Sequence, residues 1–109
     1  MGITVQTISQ AGISPTFAAA TTDGDTFPNI PGTYVAIDNA AASEVTVTFT
    51  AQTPCNQGYL HDLVVTVPAG KTVNIGPFPG GQFNDANGNV TMTYSSATSV
   101  TVAALRMPS

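Results

Sequence analysis

The sequence predicts an all-β fold, an antiparallel β-sandwich or jelly roll of about seven or eight strands with an N-terminal arm. Several segments alternate apolar and polar residues with a period of two and are rich in Val and Thr, whose branched Cβ atoms suit a pleated sheet. Short runs of Gly, Pro, Asn and Ser separate these segments, as in sandwiches and barrels. The 109 residues and the hydrophobic content of 42% suffice for one core and argue against disorder.

The clearest strand is residues 44–50, where two valines and a phenylalanine share one face and threonines share the other. Residues 89–95 repeat this pattern, and residues 98–106 place Val100, Val102 and Ala104 on one face. Outward threonines in place of charged residues therefore keep the predicted surface polar.

The other strand candidates are shorter, and they are residues 3–8, 34–37, 63–67 and 71–75. Residues 63–67 have little polar alternation, which predicts a more buried strand. Evidence for helix is limited to residues 17–22, which could form one turn.

The connections contain residues typical of turns. Residues 68–71, Pro-Ala-Gly-Lys, predict a tight turn that joins the strands on either side. Asn87-Gly88 is a strong hairpin signal, and residues 95–98 are expected to join the last two strands in another hairpin. Residues 77–81 are expected to form an exposed loop because proline cannot donate to a sheet, and residues 39–43 also indicate a loop.

The chain is predicted to hold one folded domain. Residues 1–20 form an N-terminal arm or edge strand, and residues 21–109 form a single β-sandwich domain. No internal repeat or linker interrupts the second range.

Charge is scarce. Only 7% of the residues are charged, against about 25% in ordinary soluble domains, and Lys71 and Arg106 are the only basic residues. Two cations at a net charge of −4 cannot neutralise a run of phosphates, so nucleic-acid binding and docking on an anionic membrane are not expected. The sequence also shows no transmembrane stretch and no secretory signal peptide, so we expect synthesis in the cytoplasm.

Catalytic patterns are weak. Cys55 and His61 form a catalytic pair only if they meet in space around a stabilised thiolate, and we interpret them as a half-buried thiol and a polar strand-edge residue. Residues 85–89 resemble the start of a calcium loop but lack its later glutamate, so a turn capped by Asx side chains is the favoured interpretation. Residues 23–25 likewise indicate a loop. The sequence predicts no enzyme, no catalytic residue, no cofactor and no metal site.

Two aromatic–proline clusters, residues 27–31 and 76–80, place large apolar groups in predicted loops. Each phenylalanine could plug one end of the core, but two such clusters on a charge-poor domain favour a protein interface. The candidate interface residues from these clusters and from the N-terminal arm are Ile3, Val5, Ile8, Phe27, Pro28, Ile30, Phe78 and Pro79.

Residues 53–106 carry a run that resembles a group of small virion proteins of tailed bacteriophages and prophages. The matching segments are Pro54–Gly70, Ile75–Pro79, Phe83–Asp85, Gly88–Val90 and residues 98–105, with residues 8–12 and 25–29 near the start. The resemblance covers most of the chain and is specific in its middle.

This resemblance implies a structural role beside the major capsid protein, as a head decoration, cement or minor capsid protein on the virion surface. It implies no catalytic residues. We expect the major capsid protein as partner and a homo-oligomer, with a trimer favoured, and we expect the arm to add a strand to a neighbouring subunit or to the capsid. The alternatives are a head–tail connector or tail component, and a virion-displayed adhesion or carbohydrate-binding module.

Overall fold

The structure is a computed structural model that describes residues 2–30, 32–52, 62–78 and 80–106. Within these ranges the chain forms nine strands and one four-residue helical turn, α1 (Gly80–Phe83). The strands are β1 (Val5–Thr7), β2 (Ala18–Ala19), β3 (Asp25–Pro28), β4 (Thr33–Asn39), β5 (Val45–Phe49), β6 (Leu63–Val67), β7 (Thr72–Ile75), β8 (Asn89–Tyr94) and β9 (Val100–Arg106).

The strands form two sheets, and the prediction of an all-β sandwich is confirmed. The first sheet has the order β2-β9-β4-β7, and the second has the order β3-β8-β5-β6. All of these pairs are antiparallel. β1 adds a parallel pair on the same side of β9 as β2, which the antiparallel prediction did not include. Strands β2 to β9 thus make two four-stranded sheets with the topology of a jelly roll.

The chain changes sheet at every connection from β2 onward except the one between β5 and β6. The two hairpin predictions are therefore wrong. Asn87-Gly88 does form a turn, but it follows α1 rather than a strand that pairs with β8. Residues 95–98 lead from β8 in the second sheet to β9 in the first, and the turn at 68–71 likewise carries the chain from β6 to β7 across the sheets.

The predicted alternation of the central strands is confirmed. In β5, Val45, Val47 and Phe49 are buried while the threonines between them are half-buried. In β8, Val90 and Met92 are buried and the threonines face outward. β9 buries Val100, Val102 and Ala104 as expected, and Ala103 and Leu105 are buried as well.

Residues 2–20 are part of the sandwich. β1 and β2 both pair with β9, so residues 17–22 supply a short strand instead of the expected helical turn. Gly2 forms a parallel bridge with Thr26, and the Ile3 amide donates to the Thr26 carbonyl at 2.7 Å. The segment therefore joins the edge of the first sheet to β3 in the second, and the Ile3 side chain lies in the core.

β6 lies at the edge of the second sheet, where it pairs with β5 alone among the described strands. Val67 is buried, but Leu63 and Val64 are exposed, so the prediction of a more buried strand is wrong. The physical reason is position. An apolar run predicts a buried strand only where neighbouring strands flank it on both sides and other layers cover both of its faces. Among the described strands, β6 has a neighbour on one side only.

Candidate interaction surface

The phenylalanines of the two aromatic–proline clusters turn inward. Phe27 and Phe78 are 0% and 6% exposed, so neither side chain can contact a partner in the folded chain, and this part of the interface prediction is wrong. The Phe78 ring lies 4.7 Å from that of Phe49, 5.5 Å from Phe27 and 5.8 Å from Phe83, measured between centroids. Phe78 thus plugs the core, and residues 77–81 are not a wholly exposed loop.

The Asn29 side chain holds the backbone at Phe78 in place. Its side-chain amide donates to the Phe78 carbonyl at 3.0 Å and to Asn84 Oδ1 at 2.7 Å. The segments that follow β3 and β7 are therefore tied together, which holds Phe78 against Phe27. This arrangement serves stability, because an aromatic cluster of this kind buries a large apolar area.

The other six predicted interface residues differ in exposure. Ile3 is buried in the core, which removes it from the candidate surface. Val5 and Ile8 are half-buried, and Pro28 and Ile30 are exposed. Pro79 lies outside the described residues.

Five large apolar side chains are exposed in the described part of the chain: Ile13 (39%), Phe17 (37%), Ile30 (39%), Leu63 (38%) and Val64 (59%). Sequence reasoning found only Ile30. Ile13 and Phe17 belong to the exposed segment 9–17, called here the N-terminal loop, which contains no charged residue. That absence of charge was the signal in the sequence that could have identified it.

The N-terminal loop is anchored at both ends. The Gln6 side chain donates to the Thr16 carbonyl and accepts from the Thr16 amide, both at 2.9 Å. β1 precedes the loop and β2 follows it, and both pair with β9. The loop also contains a turn, in which the Gly12 amide donates to the Ser9 carbonyl at 2.9 Å. Ile13 and Phe17 are thus presented on a segment with a fixed base.

Ile30 lies at the same end of the first sheet as the start of this loop. The Ile8 amide donates to the Arg106 carbonyl at 2.9 Å, and Thr33 is the register partner of Arg106. The Thr33 amide and hydroxyl in turn both donate to the Ile30 carbonyl. We call the N-terminal loop together with Ile30 the docking surface.

A groove of about 380 Å³ lies between β1 and β2 beside this surface. It is lined by Gly2, Ile3, Thr4, Gln6, Thr16, Ala18 and Val102. The Gln6 amide group is engaged by the Thr16 backbone, so this polar side chain of the lining already has partners inside the chain.

One carboxylate is buried within the fold. Asp25 Oδ2 accepts from the Tyr94 hydroxyl at 2.7 Å and from the Thr21 amide at 3.1 Å, so Asp25 begins a core strand instead of lying in the loop that the sequence indicated. Burial, together with the hydrogen bond and the negative charge of Asp25, raises the pKa of the Tyr94 hydroxyl above its usual range. The pair links β3 to β8.

The turn at residues 85–89 has the predicted Asx form. Asp85 Oδ1 accepts from the Asn87 and Asn89 amides at 2.8 and 3.0 Å, which directs this carboxylate oxygen to the backbone. In the described part of the chain, no group of three or more His, Cys, Asp or Glu side chains is placed to hold a metal ion. Cys55, Tyr59 and His61 lie outside the described residues.

No helix in the described ranges has the length and apolar character needed to cross a membrane. Comparisons with models of protein families, with curated proteins and with solved structures found no match to this chain.

Proposed function

We propose that this chain is a non-enzymatic structural protein of a tailed-phage virion, which decorates or stabilises the capsid by binding the major capsid protein through the docking surface. The observation that carries the proposal is the anchored, uncharged N-terminal loop, which exposes Ile13 and Phe17. The resemblance of residues 53–106 to small phage virion proteins supplies the identity of the partner.

The chemistry of the docking surface suits a protein partner. The buried centres of protein interfaces are depleted in charged residues and enriched in aromatic ones, and this loop has no charge and one phenylalanine. Binding also costs the entropy of ordering loops, and the Gln6–Thr16 pair reduces that cost because it holds the loop base before any contact forms.

The jelly-roll topology is compatible with this role. Viral capsid proteins, lectin domains and cupins all use it. A fold shared by such different proteins does not select a function by itself, so the docking surface and the sequence resemblance carry the choice.

The test is binding of the purified chain to phage heads that lack it. The double variant Ile13→Asp with Phe17→Asp places two charges on the loop, and we expect head occupancy to fall at least about tenfold because the apolar contact then buries unpaired carboxylates. Occupancy is measured by co-sedimentation with heads, and folding is checked by circular dichroism and thermal melting.

The matched control is Thr93→Asp with Ala86→Asp, which adds the same charge at exposed positions on β8 and its preceding turn. This variant is expected to bind heads like the parent chain. Equal occupancy of the loop variant and the control would contradict docking through the N-terminal loop, and failure of the parent chain to bind any head would contradict the capsid role.

A second candidate function is carbohydrate binding on the virion surface. It is favoured by the exposed ring of Phe17, which follows groove residue Thr16 and could stack on a sugar face. Glycan-array binding that is lost in Phe17→Ala would support this alternative.

A head–tail connector or tail component is a further alternative, and its copy number in purified particles distinguishes it from a capsid decoration protein.

A further inference from the structure

The outer edge of β6 has no partner strand in the described part of the chain, where β6 pairs with β5 alone. Natural edge strands are commonly protected by lysine, proline or a bulge, whereas Leu63–Val67 contains none of these and exposes Leu63 and Val64.

The β5 ladder shows which backbone groups point outward. The Thr46 carbonyl accepts from the Ser95 amide and the Thr50 amide donates to the Thr91 carbonyl, so the even-numbered residues of β5 direct their polar groups to β8 and its extension. The odd-numbered residues then direct theirs to β6, where their register partners are Leu63, Val65 and Val67. By alternation, the amides and carbonyls of Val64 and Thr66 point to the outer edge.

We propose that this edge binds a second copy of the chain, with the two β6 strands antiparallel about a two-fold axis at Val65. In this register Val64 of each copy lies opposite Thr66 of the other, and the outward backbone groups of both residues are used, giving about four hydrogen bonds. The second sheets of the two copies then form one continuous sheet, which is β-strand addition between identical partners.

Charge complementarity favours a second copy as the occupant. Asp62 precedes β6, and its Oδ1 accepts from the Ala51 amide of its own chain at 2.9 Å. Lys71 follows β6 at the end of a turn in which the Lys71 amide donates to the Pro68 carbonyl at 3.2 Å. The antiparallel register places Asp62 of one copy opposite Pro68 of the other. Lys71 of that second copy lies within about 7 Å of its own Pro68, because a β-turn brings its first and last Cα atoms that close. Each of the two ends of the paired strands therefore brings one acidic and one basic residue into the same region.

The pairing also leaves the docking surface accessible. β6 and β7 lie at one edge of the sandwich, joined by the turn at 68–71, whereas β1, β2 and β3 lie at the other edge, joined by the Gly2–Thr26 bridge. Two copies joined through β6 carry their N-terminal loops on the two outer flanks. The pairing does not depend on the capsid role and goes beyond it. It gives a dimer and not the trimer expected above, because one edge strand accepts one partner strand.

The test is the mass of the purified full chain measured by sedimentation velocity and light scattering from about 10 μM to about 1 mM. We expect a reversible monomer–dimer equilibrium in the micromolar range, because an edge contact is smaller than a standard interface. Thr66→Pro removes an outward amide and spares the bonds to β5, and Val64→Lys adds a charge at the edge. Each is expected to raise the dissociation constant at least about tenfold.

Thr93→Lys is the matched control, since it places the same charge on an exposed position of β8, away from the edge. It is expected to dimerise like the parent chain. Lys71→Glu is expected to weaken the dimer by about threefold to tenfold, and this loss is expected to shrink as the salt concentration is raised. Circular dichroism and thermal melting identify any variant that fails to fold.

A monomer at every concentration, a trimer, or a dimer that Val64→Lys and Thr66→Pro leave intact would overturn the proposal. None of these outcomes bears on head binding, which is measured separately with the variants of the N-terminal loop.

Discussion

Asp25 and Tyr94 show how one polar pair is accommodated in an apolar core. Asp25 is 0% exposed, and its Oδ2 accepts from both the Tyr94 hydroxyl and the Thr21 amide. A buried carboxylate destabilises a fold unless hydrogen bonds compensate it, and these two donors lie in different segments. The pair therefore also fixes how β3 and β8 lie relative to the turn before β3.

Tyr94→Phe is expected to reduce the free energy of unfolding at pH 7 by about 1–3 kcal/mol, because a buried carboxylate loses a donor. The pKa of Tyr94 is raised in the folded chain, so this contribution is fully present below pH ~10, where an unfolded tyrosine remains protonated, and declines above it. Urea unfolding of both chains between pH 7 and pH 11 checks this. A difference between them that stays constant or widens above pH ~10 would contradict the assignment.

Gly24, next to this pair, is required by both conformation and space. Its φ is +95°, and a Cβ atom there would lie 2.9 Å from the Met92 carbonyl oxygen and 3.1 Å from Thr93 Cγ2. Gly88 also has a positive φ of +78°, but a Cβ atom at that position meets nothing within 4 Å. Comparing substitutions at the two glycines therefore separates the cost of a positive φ from the cost of a steric clash.

Gly24→Ala is expected to destabilise the chain by about 2–4 kcal/mol, and Gly88→Ala by about 1 kcal/mol, since only the first combines strain with a clash against backbone. Denaturant unfolding of the two variants measures the difference. Equal losses would show that the approach of Met92 to Gly24 does not constrain the fold.

The local sequence predicts the individual strands well, but it predicts poorly which strands pair with one another. The alternation in β5 and β8 identifies which residues face the core, because that pattern depends only on a strand with one covered face. The turn signals at Asn87-Gly88 and at residues 95–98 correctly indicate reversals. Whether the next strand returns to the same sheet or crosses to the other depends on contacts far along the chain, and in this jelly roll nearly all connections cross.

The candidate surface was predicted poorly for a related reason. Phe78 and Ile13 both lie in segments with turn-forming residues, and sequence alone does not tell which one finds a cavity to fill. Phe78 packs among Phe27, Phe49 and Phe83. The loop that contains Ile13 is instead held at the surface by the hydrogen bonds between Gln6 and Thr16. Burial of an apolar side chain in a loop is decided by tertiary packing.

The N-terminal segment contains two isoleucines, one buried and one exposed, whose substitutions can be compared. Ile3→Ala is expected to cost about 2–4 kcal/mol of stability because Ile3 is 6% exposed, whereas Ile13→Ala at 39% exposed is expected to change stability by less than about 0.5 kcal/mol. Thermal and urea unfolding measure both. If Ile3→Ala were as stable as the parent, the first residues would be a detachable arm and not part of the sandwich.

Two features of the surface of the whole molecule accompany its low charge content. The outer faces of β5 and β8 in the second sheet carry Thr46, Thr48, Thr91 and Thr93, which keep them polar without charge. Among the described residues, the large exposed apolar side chains concentrate at two places, the docking surface and the edge of β6. These places lie at opposite edges of the sandwich, so the proposed contacts with a shell and with a neighbouring copy do not compete for the same surface.

Quantitative mass spectrometry of purified virions, which counts the copies of this chain per particle, tests whether the chain is a structural component of the capsid surface. A capsid decoration protein is expected on the order of hundreds of copies per particle, in proportion to the major capsid protein, because it follows the symmetry of the shell. A ring of about six or twelve copies would place it at the connector or tail. Its absence from purified particles would contradict a structural role in the virion.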